Sequence, residues 1–430
     1  MRVLIEGGRV IDPANNLDSV LDVLIEEGHI VGLGAERTGR GGSPPDRTLD
    51  ARGKVVCPGF VDLHVHLREP GSEDTETIAT GTRAAARGGF TSVCAMPNTN
   101  PVNDNQSVTE FVLDRAKREG AVHVYPVGAI TKGQKGEELA EIGELVGAGC
   151  VAISDDGKPV MNAEVMRRAL EYAGMFGIPV IQHAEDLSMT GKGSMHEGLV
   201  STELGIRGIP AASEAIIVAR DILLAELTRS HYHVAHVSSE ESIRLIREAK
   251  TKGLPVTCEV TPHHFAITDE AVKSFSTNTK MSPPLRSARH VEAIKAALRD
   301  GTIDAIATDH APHTIQDKEV EFDYAANGII GLETAFALGM TVLVEGGVLT
   351  LYQLIARLTS EPARIFHLPK GTLSVGAEAD VTILDPTREW VVDVRKSASK
   401  SRNTPFDGWT LRGEVLATIV GGKVVWELEG

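Results

Sequence analysis

Histidine and aspartate residues stand at the ends of several short apolar segments of this 430-residue chain. In one segment a single residue separates His64 from His66, so an extended strand presents both imidazoles on the same face. Two imidazoles from one strand can bind the same metal ion. Comparable residues end later segments, namely Asp155, Asp156, His183, His236 and Asp309. If one edge of a sheet collects these ends, the sequence predicts a metal site of imidazole nitrogens and carboxylate oxygens.

The segments that carry these residues alternate with helical patterns. Eight apolar segments are predicted to be strands: residues 60–66, 91–97, 122–128, 151–155, 179–184, 232–238, 255–262 and 303–309. Strand–helix alternation predicts parallel βαβ units, and eight of them predict an α/β fold with a TIM-like (β/α)8 barrel. Such a barrel carries its active site at the carboxyl ends of the strands. A doubly wound sheet is the alternative, but no G-x-G-x-x-G motif opens a helix.

The two chain ends differ from the middle. Residues 1–57 and 370–430 contain short β-branched runs interrupted by glycine and other turn residues. We expect these ends to pack together as a small discontinuous β-sandwich domain, with residues 58–369 forming the barrel. The stretch at residues 37–48, rich in glycine and proline, is predicted to be a loop.

Composition limits the possible classes of function. The formal net charge of -16 disfavours nucleic acid and anionic membranes, and an anionic substrate would need local cations. No run approaches the ~18 apolar residues of a membrane span, and the amino terminus lacks a signal-peptide pattern. The four cysteines form no C-x-x-C pair and are expected to be small buried apolar residues. These patterns predict a cytoplasmic protein.

Most of the remaining histidines are expected to be packed in the core or solvated. They are His29, His123, His196, His231, His233, His290 and His367. His263 and His264 follow the seventh predicted strand, where they could support ligand residues from behind. The candidate metal ligands differ from all of these because each ends a strand on the same predicted rim.

Longer motifs add a resemblance to a known family. The segments PGFVDLHVHLREPG, AMPNTNP, SDDG, HAED, HVSSEES, TPHH, ATDHAPHT and GIIGLET occur in this order. Together they resemble the amidohydrolase superfamily and, within it, the bacterial dihydroorotases. The resemblance covers essentially the whole chain, including both ends. H-x-H alone is generic, whereas the HLREPG, MPNT and DHAPHT segments are much more specific.

The resemblance implies two zinc ions (Zn²⁺). His64, His66 and Asp309 would bind one ion, and His183 and His236 would bind the other. Many relatives bridge the metals with a carboxylated lysine after the fourth strand, where this chain has Asp155 and Asp156. The alignment of motifs favours Asp156 as the bridge, and Asp155 is the alternative.

The resemblance also implies the reaction. Dihydroorotases cyclise N-carbamoyl-L-aspartate reversibly to L-dihydroorotate in de novo pyrimidine (UMP) biosynthesis. Asp309 would accept a proton from the attacking water and deliver it to the leaving ring nitrogen, unless it serves only as a metal ligand. The residues expected to contact the substrate are His66, Arg68, Asn98, Ser282, His313, Asn327 and Gly328.

Arg68 carries most of this substrate assignment, because its guanidinium suits the bidentate geometry of a carboxylate. The competing interpretation is a surface ion pair with Glu69 or Glu73. Two positions depart from many relatives. Ser282 stands where an asparagine is common, and Asn327 precedes Gly328 where phenylalanine is common.

Other functions remain open at this point. Dihydropyrimidinase, hydantoinase and allantoinase would share the fold and the metals, but their neutral substrates would leave Arg68 without a partner. A non-catalytic scaffold for aspartate transcarbamoylase should have lost metal ligands, and this chain retains all of them. Association with that transcarbamoylase alongside activity, and a homo-oligomer, are compatible with the resemblance.

Overall fold

The computed structural model of the protein describes residues 1–34 and 44–428. Over these residues, the central feature is a sheet of eight parallel strands that follow one another in chain order. They are β1 (Phe60–Val65), β2 (Phe90–Ala95), β3 (His123–Gly128), β4 (Ala152–Ser154), β5 (Val180–Gln182), β6 (Tyr232–Val234), β7 (Val256–Val260) and β8 (Ala305–Ile306). Each strand lies in one of the eight segments predicted from the sequence or overlaps it closely.

The first and last strands of this sheet meet at their carboxyl ends. The His66 N–H donates to the carbonyl of His310 at 2.9 Å, and Val65 pairs in parallel with His310. This contact brings the two edges of the sheet together. The predicted α/β fold with a TIM-like (β/α)8 barrel is therefore confirmed.

A helix follows each strand and covers the barrel. These helices are α1 (Ile78–Arg87), α2 (Gln106–Glu119), α3 (Ile142–Ala148), α4 (Ala163–Phe176), α5 (Ala212–Thr228), α6 (Glu240–Thr251), α7 (Ala288–Asp300) and α8 (Leu351–Leu358). Shorter helical segments lie between them, at Leu187–Thr190, Leu199–Leu204, Pro262–Ala266, Ile315–Lys318, Ala335–Leu338 and Gly339–Val344, and Ser360–Ile365 follows α8. A two-stranded parallel pair, Met195–His196 with Gly208–Ile209, lies in the long connection between β5 and α5.

Helix α4 illustrates why these segments fold as they do. The Asn162 side chain accepts hydrogen bonds from the first-turn N–H groups of Glu164 and Val165. The helix ends at Gly177, whose φ of 68° is accessible to glycine without the cost that a Cβ would add. Between these ends, buried Met166, Ala169, Leu170 and Ala173 recur at helical spacing and turn one face toward the core.

Both chain ends contribute to a second sheet. Its strands are Arg2–Asp12, Leu17–Glu26, His29–Leu33, Arg47–Asp50, Val55–Pro58, Val381–Val391, Thr410–Val420 and Lys423–Glu427. Val55–Pro58 pairs in parallel with Arg2–Asp12 and antiparallel with Val381–Val391, so hydrogen bonds join both ends into one sheet. The predicted extra sheet from both ends is confirmed.

This sheet has a hydrophobic cluster of its own. The members include Val3, Ile25, Val56, Val381 and Ile419, and all of the cluster's buried residues fall within 3–56 or 373–419. A separate core supports our proposed division into a composite domain (1–57 and 370–430) and a barrel domain (58–369).

Three smaller expectations can be compared with the structure. Residues 37–43 of the predicted loop lie outside the described residues, and Arg47–Asp50 forms a short strand instead of loop. All four cysteines are buried and free. Among the described residues, no helix combines the length and apolar character that crossing a bilayer requires.

Candidate metal centre and substrate cavity

The candidate ligands converge at the carboxyl ends of the barrel strands. His64 lies in β1, His66 follows it, and the other ligands follow β4, β5, β6 and β8 in turn: Asp156, His183, His236 and Asp309. Each of these six residues is at most 7% exposed. Residues that are far apart in the sequence therefore form one buried cluster.

The first group consists of His64, His66 and Asp309, whose donor atoms all lie within 4.8 Å of one another. Oδ1 of Asp309 is 3.1 Å from Nε2 of His66 and 3.6 Å from Nε2 of His64. This is the set that the resemblance assigns to the first metal ion.

Asp156 lies between this group and the other two histidines. Its Oδ1 is 3.3 Å from Nε2 of His64, 3.7 Å from Nδ1 of His183 and 3.8 Å from Nε2 of His236. Its Oδ2 faces the other way and is 3.5 Å from Nε2 of His66. The Asp156 carboxylate therefore lies within 3.8 Å of histidines from both groups, the position that a bridging ligand would need.

Asp155 faces a different part of the protein. Its Oδ1 accepts hydrogen bonds from the backbone N–H groups of Ile130 and Thr131, and its Oδ2 accepts one from the Thr131 hydroxyl. The two adjacent aspartates are thus distinguished by direction, and the geometry favours Asp156 as the bridge.

His183 and His236 contact each other directly, with 2.9 Å between Nδ1 of His183 and Nε2 of His236. The second set of donors within 4.8 Å contains His64, Asp156 and His236 and does not include His183. The structure therefore brings His183 to the centre without placing its nitrogen within that distance of every other member.

The donor atoms fit a cation. Nε2 of His64 and Oδ1 of Asp156 are buried and have no hydrogen-bond partner among the described residues. Leaving a buried polar atom without a partner costs about 1–3 kcal/mol. The other nitrogen of His64, Nδ1, is 2.9 Å from Oε1 of Glu259 and can donate to it, which leaves the Nε2 lone pair for the centre. Imidazole and carboxylate donors of this kind suit a divalent metal cofactor.

Charges within the cluster depend strongly on one another. Burial disfavours a charge on His64, but the carboxylates of Asp156 and Asp309 raise its pKa well above the usual range. Burial would raise the pKa of Asp309, yet the neighbouring imidazoles, led by His64, lower it. Against burial, the nearby carboxylates of Asp156 and Glu185 raise the pKa of His183 to about 10. A metal ion that binds these imidazoles would therefore have to displace their protons.

A cavity of about 410 Å³ opens beside the cluster. Its lining includes five of the six candidate ligands, all except His64, together with Arg68, Asn98, Ser282, His313, Asn327 and Gly328. Every residue predicted to contact the substrate thus lines a single cavity next to the donor atoms. The size is that of a site for a small molecule.

Arg68 is partly buried in the cavity wall rather than paired with a carboxylate at the surface. Its Nε donates to the carbonyl of Pro312 at 3.2 Å, and its Nη2 is 3.5 Å from Nε2 of His313. Neither Glu69 nor Glu73 forms an ion pair with it among the described residues; Glu69 pairs with Arg115 instead.

Asn98 supports a ligand as well as lining the cavity. Its Oδ1 is 2.8 Å from Nδ1 of His66, which can donate to it and leave Nε2 of that ring for the centre.

The backbone of Gly328 is already engaged within the protein. Its N–H donates to the carbonyl of Lys280, and its carbonyl accepts from Lys318 and Asn403 at 3.0 and 3.1 Å. The carbonyl of Asn327 lies 2.7 Å from Nε2 of His313. Both residues are expected to contact the substrate, and the backbone of Asn327 retains more hydrogen-bonding capacity for it than the backbone of Gly328.

Glu259 belongs to the site although the sequence analysis did not single it out. Its carboxylate lies between two imidazoles, with Oε1 2.9 Å from Nδ1 of His64 and Oε2 3.3 Å from Nε2 of His233. His233, expected to be a packed residue, is buried and indirectly supports a candidate ligand. A charged residue inside the apolar segment 255–262 was the signal that could have drawn attention to Glu259 itself.

The loop between β5 and α5 also contributes to the cavity. Glu185, Leu187, Thr190, Ser194 and Ile209 line it. Oε2 of Glu185 is 3.5 Å from Nε2 of His183. The Oγ of Ser282 is 3.4 Å from the same nitrogen, so Ser282 reaches the cluster despite its short side chain.

Comparison with known proteins gives consistent results across the chain. Residues 53–242 match a family model described as dihydro-orotase-like, and residues 277–426 match one described as amidohydrolase family. The chain is 56% identical over 427 residues to the dihydroorotase of Geobacter metallireducens, covering 99% of this chain and 100% of that protein. It is 59% identical over 428 residues to the dihydroorotase of Anaeromyxobacter dehalogenans, covering 99% and 98% respectively.

Among solved structures, the L-hydantoinase (dihydropyrimidinase) from Arthrobacter aurescens is similar, with a TM-score of 0.88 and 27% identity. The match covers 99% of this chain and 96% of that one. A dihydropyrimidinase from Brevibacillus agri, 23% identical with a TM-score of 0.85, shares the fold.

Proposed function

The chain belongs to the dihydroorotase family of amidohydrolases, and on that basis we propose that it interconverts N-carbamoyl-L-aspartate and L-dihydroorotate in pyrimidine biosynthesis. The enzyme is a hydrolase that acts on a cyclic amide C–N bond. The main observation in favour of this substrate is that the guanidinium of Arg68 lines the same cavity of about 410 Å³ as the His and Asp cluster.

The proposed cofactor is two zinc ions. His64, His66 and Asp309 would hold one ion, His183 and His236 would hold the other, and Asp156 would contact both. Zinc, when bound, acts as a Lewis acid that acidifies water and polarises a carbonyl. The unpartnered Nε2 of His64 and Oδ1 of Asp156 support this arrangement.

Asp309 is the proposed proton carrier. Its lowered pKa keeps the carboxylate ionised, which is the form that can accept a proton from the attacking water. In ring opening, Asp309 would then deliver that proton to the leaving ring nitrogen. In ring closure it would take the proton from the attacking nitrogen and return it to the departing water.

Arg68 is the proposed anchor for the substrate carboxylate. A guanidinium forms two parallel hydrogen bonds with a carboxylate, and the partly buried position of Arg68 strengthens them. His313 and Asn98 lie against Arg68 and His66 respectively, where they can complete the contacts to the same group. The proposed contacts to the ring come from Asn327 and from Ser282.

The alternative reactions differ in substrate charge. A hydantoinase or dihydropyrimidinase would share the fold, as the similar solved structures illustrate. Their neutral rings would leave the partly buried guanidinium of Arg68 without an anionic partner, which is unfavourable. We therefore favour the anionic substrate.

The deciding experiment is an assay of the zinc-loaded protein on dihydroorotate, with dihydrouracil, hydantoin and allantoin in parallel. We expect selective opening of dihydroorotate that a chelator abolishes. Arg68→Met should weaken saturation by dihydroorotate by roughly tenfold or more while sparing zinc content. The exposed Arg244 on α6 gives a matched control in Arg244→Met. Opening of a neutral ring in preference to dihydroorotate would overturn the proposal.

Association with aspartate transcarbamoylase, a homo-oligomeric state and a cytoplasmic location stay predictions. A chain that opens no ring alone but does so when the transcarbamoylase is added would support the first. Inactivity in both conditions would favour the scaffold function instead.

A further inference from the structure

A buried lysine with no acidic partner lies behind the cavity wall. Lys318 ends the short helix Ile315–Lys318 and is only 5% exposed. Its Nζ donates to the carbonyls of Ala326 at 2.7 Å and Gly328 at 3.0 Å, and reaches that of Lys280 at 3.4 Å. Within the described part of the chain, no carboxylate forms an ion pair with it.

This arrangement uses the full donor capacity of the ammonium group. Three N–H donors meet three backbone carbonyls, which offset part of the cost of burying the charge. The carbonyls belong to two segments that flank the cavity, since Met281 and Ser282 follow Lys280 and line it. Lys318 therefore ties the two segments together from outside the cavity.

The tied segment includes Asn327, whose neighbours on both sides are held. The carbonyl of Ala326 is fixed by Lys318, and the carbonyl of Gly328 is fixed by Lys318 and by Nδ2 of Asn403. With both adjacent peptide groups fixed from behind, Asn327 has little freedom to move away from the cavity.

We propose that Lys318 is a positioning residue that holds the 326–328 segment where Asn327 can contact the substrate. Lys318 is not among the residues that line the cavity, so it acts through the segment. The inference rests on the proposed function, because the contact between Asn327 and the substrate is part of that proposal.

The test compares Lys318→Met with Lys280→Met. Lys280 is a similarly buried lysine, 6% exposed, but its Nζ donates to the carbonyl of Asp323 rather than to the segment. Four quantities are measured on the zinc-loaded full chain: KM, kcat, zinc content, and hydrogen–deuterium exchange of the backbone around residues 326–328. Lys318→Arg, which keeps the charge and the donors, tests rescue.

For Lys318→Met we expect KM for dihydroorotate to rise about tenfold or more, with a smaller change in kcat and unchanged zinc content. Exchange at 326–328 should accelerate, and Lys318→Arg should recover part of both effects. Lys280→Met should leave the exchange of this segment as in the unsubstituted protein. Where Lys318→Met does not fold, Lys318→Gln, which retains an amide donor, is judged by the same readouts.

Unchanged KM in a folded Lys318 variant, or unchanged exchange at 326–328, would overturn the positioning role. Failure of the proposed function looks different. In that case the unsubstituted protein does not open dihydroorotate, whereas the exchange experiment still reports whether Lys318 holds the segment.

Discussion

Glu259 offers the sharpest test of how the metal centre is built. Its carboxylate lies between His64 and His233, and neither of its oxygens reaches the cavity lining. Burial opposes its ionisation, yet the imidazoles of His233 and His64 beside it lower its pKa to about 2. The group is therefore an anion that supports a candidate metal ligand from behind. Glu259→Gln removes the charge and keeps the shape.

The expected effect follows from the 2.9 Å contact between Oε1 of Glu259 and Nδ1 of His64. An anion hydrogen-bonded to a ligand imidazole makes that imidazole a better donor and fixes its orientation. Loss of such a partner weakens metal binding by about 10–100-fold, which corresponds to about 1.4–2.8 kcal/mol. A glutamine can still accept from Nδ1, so most of the loss should reflect the missing charge.

The assay is competition for zinc between the metal-free protein and a chromophoric chelator, so it does not depend on activity. Asp12→Asn is the matched control, because Asp12 is a fully buried carboxylate of the second sheet that binds the backbone N–H of Leu373. The zinc affinity of the Asp12→Asn variant should equal that of the unsubstituted protein. If Glu259→Gln binds zinc as tightly as the unsubstituted protein, Glu259 only fills space in the barrel and the argument fails.

Three further predictions use matched pairs or a pH series. Asp156→Asn should lose at least one zinc ion, as measured by elemental analysis. Asp155→Asn should retain zinc and instead lower the stability of the protein. Equal zinc content in the two variants would contradict the assignment of Asp156 as the bridging ligand. Gly328→Ala should lower stability by roughly 1–3 kcal/mol in urea unfolding, because φ is 118° and a Cβ would lie 2.6 Å from that of Ala311. Gly376→Ala, at a positive φ in open space, should cost less. Burial lowers the pKa of Lys318 to about 7 from 10.5, so the unfolded chain binds more protons between those values. The stability of the unsubstituted protein relative to Lys318→Met should therefore rise with pH through that window, and a constant difference would refute the shift.

The barrel was predictable from sequence because its signals are local. Each strand is a short apolar run that a helical pattern follows. The candidate metal ligands lie where these runs end. His64 and His66 illustrate this, since alternation along one strand is enough to place them on one face. The same local logic places Asp156 and Asp309 on the rim.

Partnerships between distant segments were not predictable in this way. The sequence left Asp155 and Asp156 as alternatives, because which of two adjacent side chains faces the centre depends on how the strand end turns. Glu259 was missed because its partners come from β1 and β6, and nothing near it in the chain marks them. Likewise, the backbone of Gly328 is engaged by Lys318 from a separate helix, which only the packed structure shows.

Under the proposed function, metal binding and substrate binding would be electrostatically linked in this cavity. Its lining carries the carboxylates of Asp156, Glu185 and Asp309 but, among the described residues, a single arginine, Arg68. In the metal-free protein the guanidinium of Arg68 and the protonated imidazoles of His64 and His183 offset these carboxylates, within a protein whose formal net charge is -16. Two divalent cations would replace the protons on these imidazoles with four positive charges and make the local potential positive. Under the proposed function, Arg68 would supply the geometry that orients the anion, whereas the metal ions would supply the attraction that brings it into the cavity.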